Sequence, residues 1–84
     1  MRLTYALALI SGPVVGEAPC QSPEDAWTAF YGAYRDAVGS AWSDAHETAV
    51  RALRAPLLSG ARSALETGET YTLSGTGIAL TITV

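Results

Sequence analysis

The last sixteen residues, ETYTLSGTGIALTITV, contain two alternating apolar runs that are out of phase with each other. Apolar residues occupy odd positions before the glycines and even positions after them. A two-residue turn at 75–76 restores the phase, because Leu73 then faces Ile78. In the same register Tyr71 faces Leu80, and all large apolar side chains share one face. The pattern therefore predicts a β-hairpin with strands at 69–74 and 77–84.

The SGTG segment in this hairpin has a competing interpretation as a phosphate-binding glycine loop. Such loops open a helix, whose N-terminus supplies donors and a favourable dipole. The residues that follow here, IALTITV, have strand periodicity instead. Gly75 also suits the first position of a type II′ turn, so we expect a turn and no ligand site.

The N-terminal stretch, MRLTYALALISGPVVGEAPC, resembles a signal peptide only superficially. Its apolar run is interrupted by Ser11, Gly12 and Pro13, and no clean small-residue cleavage site follows. Leucine and tyrosine alternate with smaller or polar residues over 2–10, which predicts a strand. The glycines and prolines of 11–22 predict a connecting loop.

The segment SPEDAWTAFYGAYRDAVG has the strongest helical pattern of the chain. Ser22 is suited to cap the N-terminus, Pro23 to the first helical position, and Gly39 to the stop. The predicted first helix covers 23–38. Large apolar residues recur along one stripe at helical spacing: Trp27, Phe30, Tyr31, Tyr34 and Val38.

A second helix is predicted to start at Ser40 or Ser43 and to pair closely with the first through alanine-rich faces. Pro56 is expected to end or kink this helix, because its ring removes a donor and disfavours helix at the preceding residue. The segment PLLSGARSALETG then predicts a short third helix that stops at Gly68.

Together these patterns predict a single α+β domain over 1–84, ordered β-α-α-(α)-β-β. Its sheet has three mainly antiparallel strands, at 2–10, 69–74 and 77–84. The helical pair and the short third helix cover one face.

Composition narrows the function classes. The chain has 84 residues, 49% of them hydrophobic and 15% charged, which suits a small packed domain rather than a disordered segment. A net charge of -3 argues against nucleic acid as a partner. No apolar stretch approaches the ~20 residues needed to cross a bilayer, so no membrane partner and a cytoplasmic location are expected. All five basic residues are arginine and asparagine is absent, which suggests a GC-rich bacterium or its phage.

No residue pattern indicates catalysis, a cofactor or a metal site. Cys20 is the single cysteine, so it has no intrachain disulfide partner and no second thiol for a metal. His46 is the single histidine, and its spacing places it at the edge of an apolar helix face. Glu47 and Arg51 have the i, i+4 spacing of a stabilising helix pair. We therefore expect a non-enzymatic protein.

Two groups of residues are candidates for binding a partner. The spacing of Trp27, Phe30, Tyr31, Tyr34 and Trp42 places most of them in the core, but five are too many for so small an interior. One or two of Tyr31, Tyr34 and Trp42 are therefore expected at the surface. Arg51, Arg54 and Arg62 are expected to form a small basic patch. The hairpin from Thr70 to Val84 has no charge, although free sheet edges normally carry charges, prolines or bulges. The candidates are Tyr31, Tyr34, Trp42, Arg51, Arg54, Arg62, Thr70, Thr72, Thr81 and Thr83.

These features favour a protein–protein interaction module that occupies a partner's surface, for example a phage- or mobile-element-encoded inhibitor of a host defence system. One alternative is a structural, virion or scaffold protein that self-assembles through the C-terminal hairpin. A second alternative is a small-ligand or catalytic protein centred on His46 and Arg51. The partner is accordingly another protein, either a host protein or a second copy in a homo-oligomer.

Overall fold

In the computed structural model, which describes residues 1–75 and 77–84, four strands form one antiparallel sheet. The strands are β1 (Arg2–Leu9), β2 (Gly12–Pro19), β3 (Tyr71–Gly75) and β4 (Ile78–Thr83). They lie in the order β2-β1-β4-β3, so β1 and β4 are central and β2 and β3 are edges. The predicted α+β class with an antiparallel sheet is confirmed, whereas the predicted count of three strands is wrong.

The additional strand is β2, in the segment predicted to be a loop. Its eight residues pair with β1 in an unbroken register from Leu9 opposite Gly12 to Arg2 opposite Pro19. The glycines and prolines of 11–22 predict a loop, but a proline is excluded from a strand only where its missing N–H would have donated to the sheet. On an edge strand, every second residue directs its backbone N–H away from the neighbouring strand. A proline at such a position therefore removes no hydrogen bond of the sheet.

The C-terminal hairpin forms with its apolar residues on one face, as predicted, but its register differs by two residues. Tyr71 lies opposite Ile82, and Leu73 lies opposite Leu80. A shift of two residues preserves the faces, because side chains alternate with a period of two. Gly77 has the positive φ, 71°, whereas Gly75 belongs to β3. The predicted turn at 75–76 includes residue 76, which lies outside the described residues.

Helix α1 (Pro23–Val38) has the predicted bounds. The Ser22 hydroxyl accepts a hydrogen bond from the Asp25 amide at 3.0 Å, and the Asp25 carboxylate accepts one from the Gln21 amide at 3.0 Å. Gly39 takes a φ of 62° at the C-terminal cap, a conformation that glycine adopts without a steric penalty. Local capping chemistry thus defines both ends of this helix.

The predicted helical pair and short third helix differ from the observed helices. After a 3-10 turn (Gly39–Ala41), α2 (Asp44–Arg51) is short, and α3 (Arg54–Thr67) begins before Pro56. Pro56 is the third residue of α3, where an N–H group has no intrahelical partner to lose. In a continuous helix the ring of Pro56 would clash with the carbonyl of Ala52. The helix is therefore interrupted between α2 and α3.

The two longer helices, α1 and α3, pack against each other and against the same face of the sheet. Helix α1 lies over β1 and β2, and α3 lies over β3 and β4. The fully buried side chains come from both layers: Leu3, Leu7, Phe30, Val50, Leu57, Leu80 and Ile82. None of the helices in 1–75 and 77–84 has both the length and the apolar content of a membrane-spanning helix.

Candidate functional site

The edge strand β3 presents backbone groups that no neighbouring strand uses. The Ala8 amide donates to the Gly77 carbonyl at 2.8 Å, so these two residues form a hydrogen-bonded pair between β1 and β4. Hydrogen-bonded pairs recur at every second residue of antiparallel strands, so the odd residues of β4 bond to β1. The even residues of β4 therefore bond to β3, where their partners are the odd residues. The N–H and C=O groups of Thr72 and Ser74 consequently point away from the sheet.

Those outward groups have no other partner in the region that the structure describes. Outside the sheet ladder, no hydrogen bond within 1–75 and 77–84 involves the backbone of Thr72 or Ser74. Both side chains are exposed on the outer face of the sheet, and neither carries a charge. We call β3 the open edge, because its donors and acceptors are free to pair with another strand.

Tyr71 holds the open edge against the helical layer. Its ring lies directly on Gly60 of α3, where a Cβ atom would collide with the ring carbons. Tyr71 and Leu73 are half-buried on the inner face of β3. The open edge is therefore packed against α3 through Tyr71 and has an apolar inner side.

The side of α3 above this edge is lined by small side chains. The contact with Tyr71 places Gly60 on the β3 side of the helix, while an ion pair of 3.3 Å places Arg62 beside Glu24 of α1. Residues at helical spacing from Gly60 share its side of the helix. Of these residues, Leu57 and Ala64 are buried, whereas Pro56, Ser63 and Thr67 are exposed. The exposed side chains above β3 are thus small and uncharged.

The opposite edge, β2, has a different set of residues at its outward positions. The Cys20 amide donates to the Met1 carbonyl at 2.8 Å, so the even residues of β2 bond to β1. The backbone N–H and C=O groups of the odd residues of β2 therefore point away from the sheet. These residues are Pro13, Val15, Glu17 and Pro19. The two prolines have no N–H, and Glu17 forms an ion pair of 2.8 Å with Arg2. We call β2 the proline edge.

The threonines predicted to bind a partner lie on or beside the outer face of the sheet. Thr4, Thr81 and Thr72 are directly opposite one another on β1, β4 and β3, and form a row across the sheet. Thr83 is exposed on the same face at the end of β4, and Thr70 is exposed just before β3. The structure thus places Thr72 on the open edge and Thr81 and Thr83 on the neighbouring strand β4. Ser74, which the sequence did not single out, lies on the open edge as well.

The predicted aromatic residues form one cluster that connects α1 to the segment before α2. Tyr34 is only 7% exposed and stacks on Phe30, so it belongs to the core. Tyr31 and Trp42 are half-buried, and their ring centroids are 5.9 Å apart. The Arg35 guanidinium lies 5.3 Å from the centroid of the Trp42 ring. Most of the aromatic surface is consequently engaged within the chain.

Glu47 stands at the centre of a polar network beside this cluster. The Tyr31 hydroxyl donates to the Glu47 carboxylate at 2.8 Å, and the Arg51 guanidinium donates to it at 2.8 Å. The hydrogen bond from Tyr31 lowers the pKa of the Glu47 carboxyl, and Arg51 and Arg35 lower it further. The sequence spacing predicted the pair with Arg51, but the tyrosine sixteen positions away has no local sequence signal.

The three arginines of the predicted basic patch do not act as one free patch. Arg51 is paired with Glu47, and Arg62 is paired with Glu24 at 3.3 Å. Arg54 is exposed at the first turn of α3. Two of the three positive charges are thus balanced by carboxylates within the chain, which weakens the attraction of this surface for an anionic partner.

His46 and Arg51 lie in different surroundings. His46 forms a hydrogen bond of 2.9 Å with the Ser43 hydroxyl and stacks on Trp42, whereas Arg51 lies over the ring of Tyr31. His46 also lines an apolar cleft of about 360 Å³ between α1 and the turn joining β1 to β2. Ile10, at that turn, is fully exposed and forms part of the cleft wall.

The remaining nucleophile is Cys20, which is buried. Burial raises the pKa of the Cys20 thiol, and the nearby Asp25 carboxylate raises it further. A thiol held in its protonated form is a poor nucleophile. Within 1–75 and 77–84, no three His, Cys, Asp or Glu side chains are grouped as a metal site would require.

Comparison of the chain with protein-family models, with curated proteins and with solved structures found no match.

Proposed function

We propose that this chain is a non-enzymatic protein-interaction module that binds another polypeptide by strand addition at the open edge. The observation that carries the proposal is the pair of outward, unpartnered backbone positions at Thr72 and Ser74 on an uncharged, proline-free strand. In strand addition, backbone hydrogen bonds supply affinity, and alternate side chains of the incoming strand supply specificity.

The inner side of β3 favours a partner strand with apolar residues at alternate positions. Leu73 is half-buried, so its free side offers apolar contact to a neighbouring strand. An incoming apolar side chain beside Leu73 would extend the core by one strand, under the small residues of α3. The side chains on the other face of the incoming strand would meet solvent next to Thr72 and Ser74.

Electrostatics contributes little to this binding mode. The strand is uncharged, although the chain has a net charge of -3. Contacts made by backbone groups and apolar side chains are screened only weakly by salt, in contrast to binding through charged patches. We therefore expect partner binding to be nearly constant between low and physiological salt.

A pair of proline variants tests the proposal. Thr72→Pro removes an outward donor from the open edge, whereas Val15→Pro removes an outward donor from the proline edge. Partners captured from the native host by the original chain should be lost with Thr72→Pro and retained with Val15→Pro. Equal capture by both folded variants would rule out strand addition at β3. Inhibition of a host defence system remains a prediction within this proposal.

The cleft beside His46 favours a second candidate function, the binding of a small apolar ligand. Its volume lies at the low end of the range for ligand pockets, and its walls are largely aliphatic. An apolar fluorescent dye such as anilinonaphthalene sulfonate should then bind at one saturable site. Ala37→Trp, which places a bulky ring in the cleft wall, should abolish that binding, and unchanged dye binding would exclude the cleft.

A further inference from the structure

We propose that the strand which docks on the open edge is β3 of a second copy of this chain, in antiparallel orientation about a two-fold axis. This inference rests on the proposed function, because it names the polypeptide that adds to β3. The resulting dimer has one continuous eight-stranded sheet with the proline edges at its two ends.

The backbone of β3 is complementary to itself in this orientation. Thr72 and Ser74 both face outward, and antiparallel pairing about Leu73 places Thr72 of each copy opposite Ser74 of the other. Each opposed pair exchanges two hydrogen bonds, so all four outward groups of each copy gain a partner. Leu73 then lies opposite Leu73 of the second copy on the inner face, as an apolar cross-strand pair.

The distribution of charge also favours this arrangement. No charged residue lies between Thr70 and Gly75, and Glu69 is the nearest charge on the N-terminal side of β3. Antiparallel pairing about Leu73 separates the two Glu69 residues by eight strand positions, roughly 27 Å along the sheet. That distance is well beyond the Debye length of ~8 Å at physiological ionic strength, whereas parallel pairing would place the two carboxylates side by side.

A second copy has an advantage over a flexible peptide, because its β3 is already an ordered strand. Tyr71 anchors the strand against Gly60, so pairing does not require the backbone to be ordered first. The proline edge then limits growth, since the outer ends of the eight-stranded sheet lack the donors of Pro13 and Pro19. The structure thus favours a closed pair over a fibre.

The contact is small. Five residues of β3 span about 17 Å, so the interface lies at the low end of the size range for specific complexes. We therefore expect a dimer that forms and dissociates with concentration in the micromolar range rather than a permanent one.

Sedimentation velocity over a wide concentration range tests the inference. The original chain should shift from one to two copies, Thr72→Pro should raise the dissociation constant at least tenfold, and Val15→Pro should leave it unchanged. Circular dichroism verifies that both variants are folded. A single mass at all concentrations, or equal effects of the two prolines, would overturn the inference.

Symmetric cross-linking tests the register without relying on proline. Leu73→Cys places two thiols opposite each other across the two-fold axis, so mild oxidation should rapidly give a disulfide-linked dimer. Val15→Cys, on the proline edge, should remain largely monomeric under the same conditions. If Leu73→Cys cross-links no faster than Val15→Cys, the second copy does not dock as proposed.

The two proposals fail in different ways. A chain that stays monomeric, yet captures a foreign protein in a manner that depends on Thr72, contradicts the second copy and supports strand addition. If neither self-association nor capture depends on Thr72, both proposals are wrong.

Discussion

The two edges of the sheet have the same secondary structure but opposite capacities to pair with another strand. At the proline edge, two of the four outward positions of β2 lack an N–H, and a third carries the Glu17 charge. At the open edge, both outward positions of β3 keep their donors and acceptors. The difference arises entirely from which residues occupy every second position of each strand.

This comparison shows how a small sheet can direct association to one side. Natural edge strands are normally protected against pairing, and β2 has the usual protection. The absence of any such protection on β3 is therefore informative, because the same chain carries the protective residues elsewhere.

A double variant that removes the protection of β2, Pro13→Thr/Pro19→Thr, should have the largest effect. It adds two N–H groups that point away from β1, so both edges become able to pair and copies join into chains. Sedimentation should detect species heavier than a dimer. Ala6→Thr, on the outer face of central β1, is the control and should not change the assembly. If the double variant behaves like the original chain, the prolines do not determine the difference between the edges.

Gly60→Ala tests how the open edge is anchored. Alanine favours the helix by about 0.5–1 kcal/mol, but its Cβ collides with the Tyr71 ring, and overpacking of this kind costs about 1–3 kcal/mol. We expect a net loss of about 1 kcal/mol or more in the free energy of unfolding, measured with urea. Gly32→Ala in α1, where nothing lies within 4 Å of the added Cβ, should be stabilising instead.

Gly16→Ala is the corresponding change at the proline edge, and its effect should be smaller. The added Cβ meets the hydroxyl end of the Tyr5 side chain, which is half-buried and can swing aside. The expected loss is at the low end for overpacking, about 1 kcal/mol. A loss larger than that of Gly60→Ala in the same urea titration would mean that β2, not β3, is the more tightly held edge.

Acidification should have the smallest effect on the stability of the fold, and it should not change the capacity of either edge to pair. The pKa of Glu47 is lowered in the folded chain, chiefly by the Tyr31 hydrogen bond, so its stabilising contribution is present above the ordinary pKa of about 4.3. That contribution disappears as the pH falls through the lowered folded pKa. Thermal unfolding at pH ~6 and at lower pH should show a weaker acid dependence for Glu47→Gln than for the exposed Glu66→Gln control.

Local signals predicted some elements well. Ser22, Pro23 and Gly39 define α1 because capping acts over only a few residues. The strand at β1 and the apolar face of the β3–β4 hairpin follow from periodicity alone. The hairpin register was missed by two residues, since periodicity of two cannot distinguish registers that differ by two.

The strand β2 and the start of α3 were predicted wrongly, because the structural effect of a proline depends on its place in the fold. Pro13 and Pro19 are six positions apart, so both face outward on an edge strand, and this even spacing was the available signal for β2. Pro56 fits the first turn of α3 and does not end that helix. Its ring instead excludes a helical carbonyl four residues earlier, at Ala52, where α2 has ended. The open edge was predicted only as an uncharged hairpin, because the sequence does not specify which strand β1 covers.

The pairing of β1 with β4 has a consequence for how the chain folds during synthesis. Arg2 lies opposite Thr83, so the two central strands join residues 81 positions apart. The β1–β2 hairpin and α1 can each form from residues close in sequence, but they cannot complete the core until residues 78–83 have left the ribosome. Closing so long a loop is slow relative to local contacts. We therefore expect the nascent chain to stay open and accessible to chaperones until synthesis of β4, with the final sheet forming after translation of the last strand.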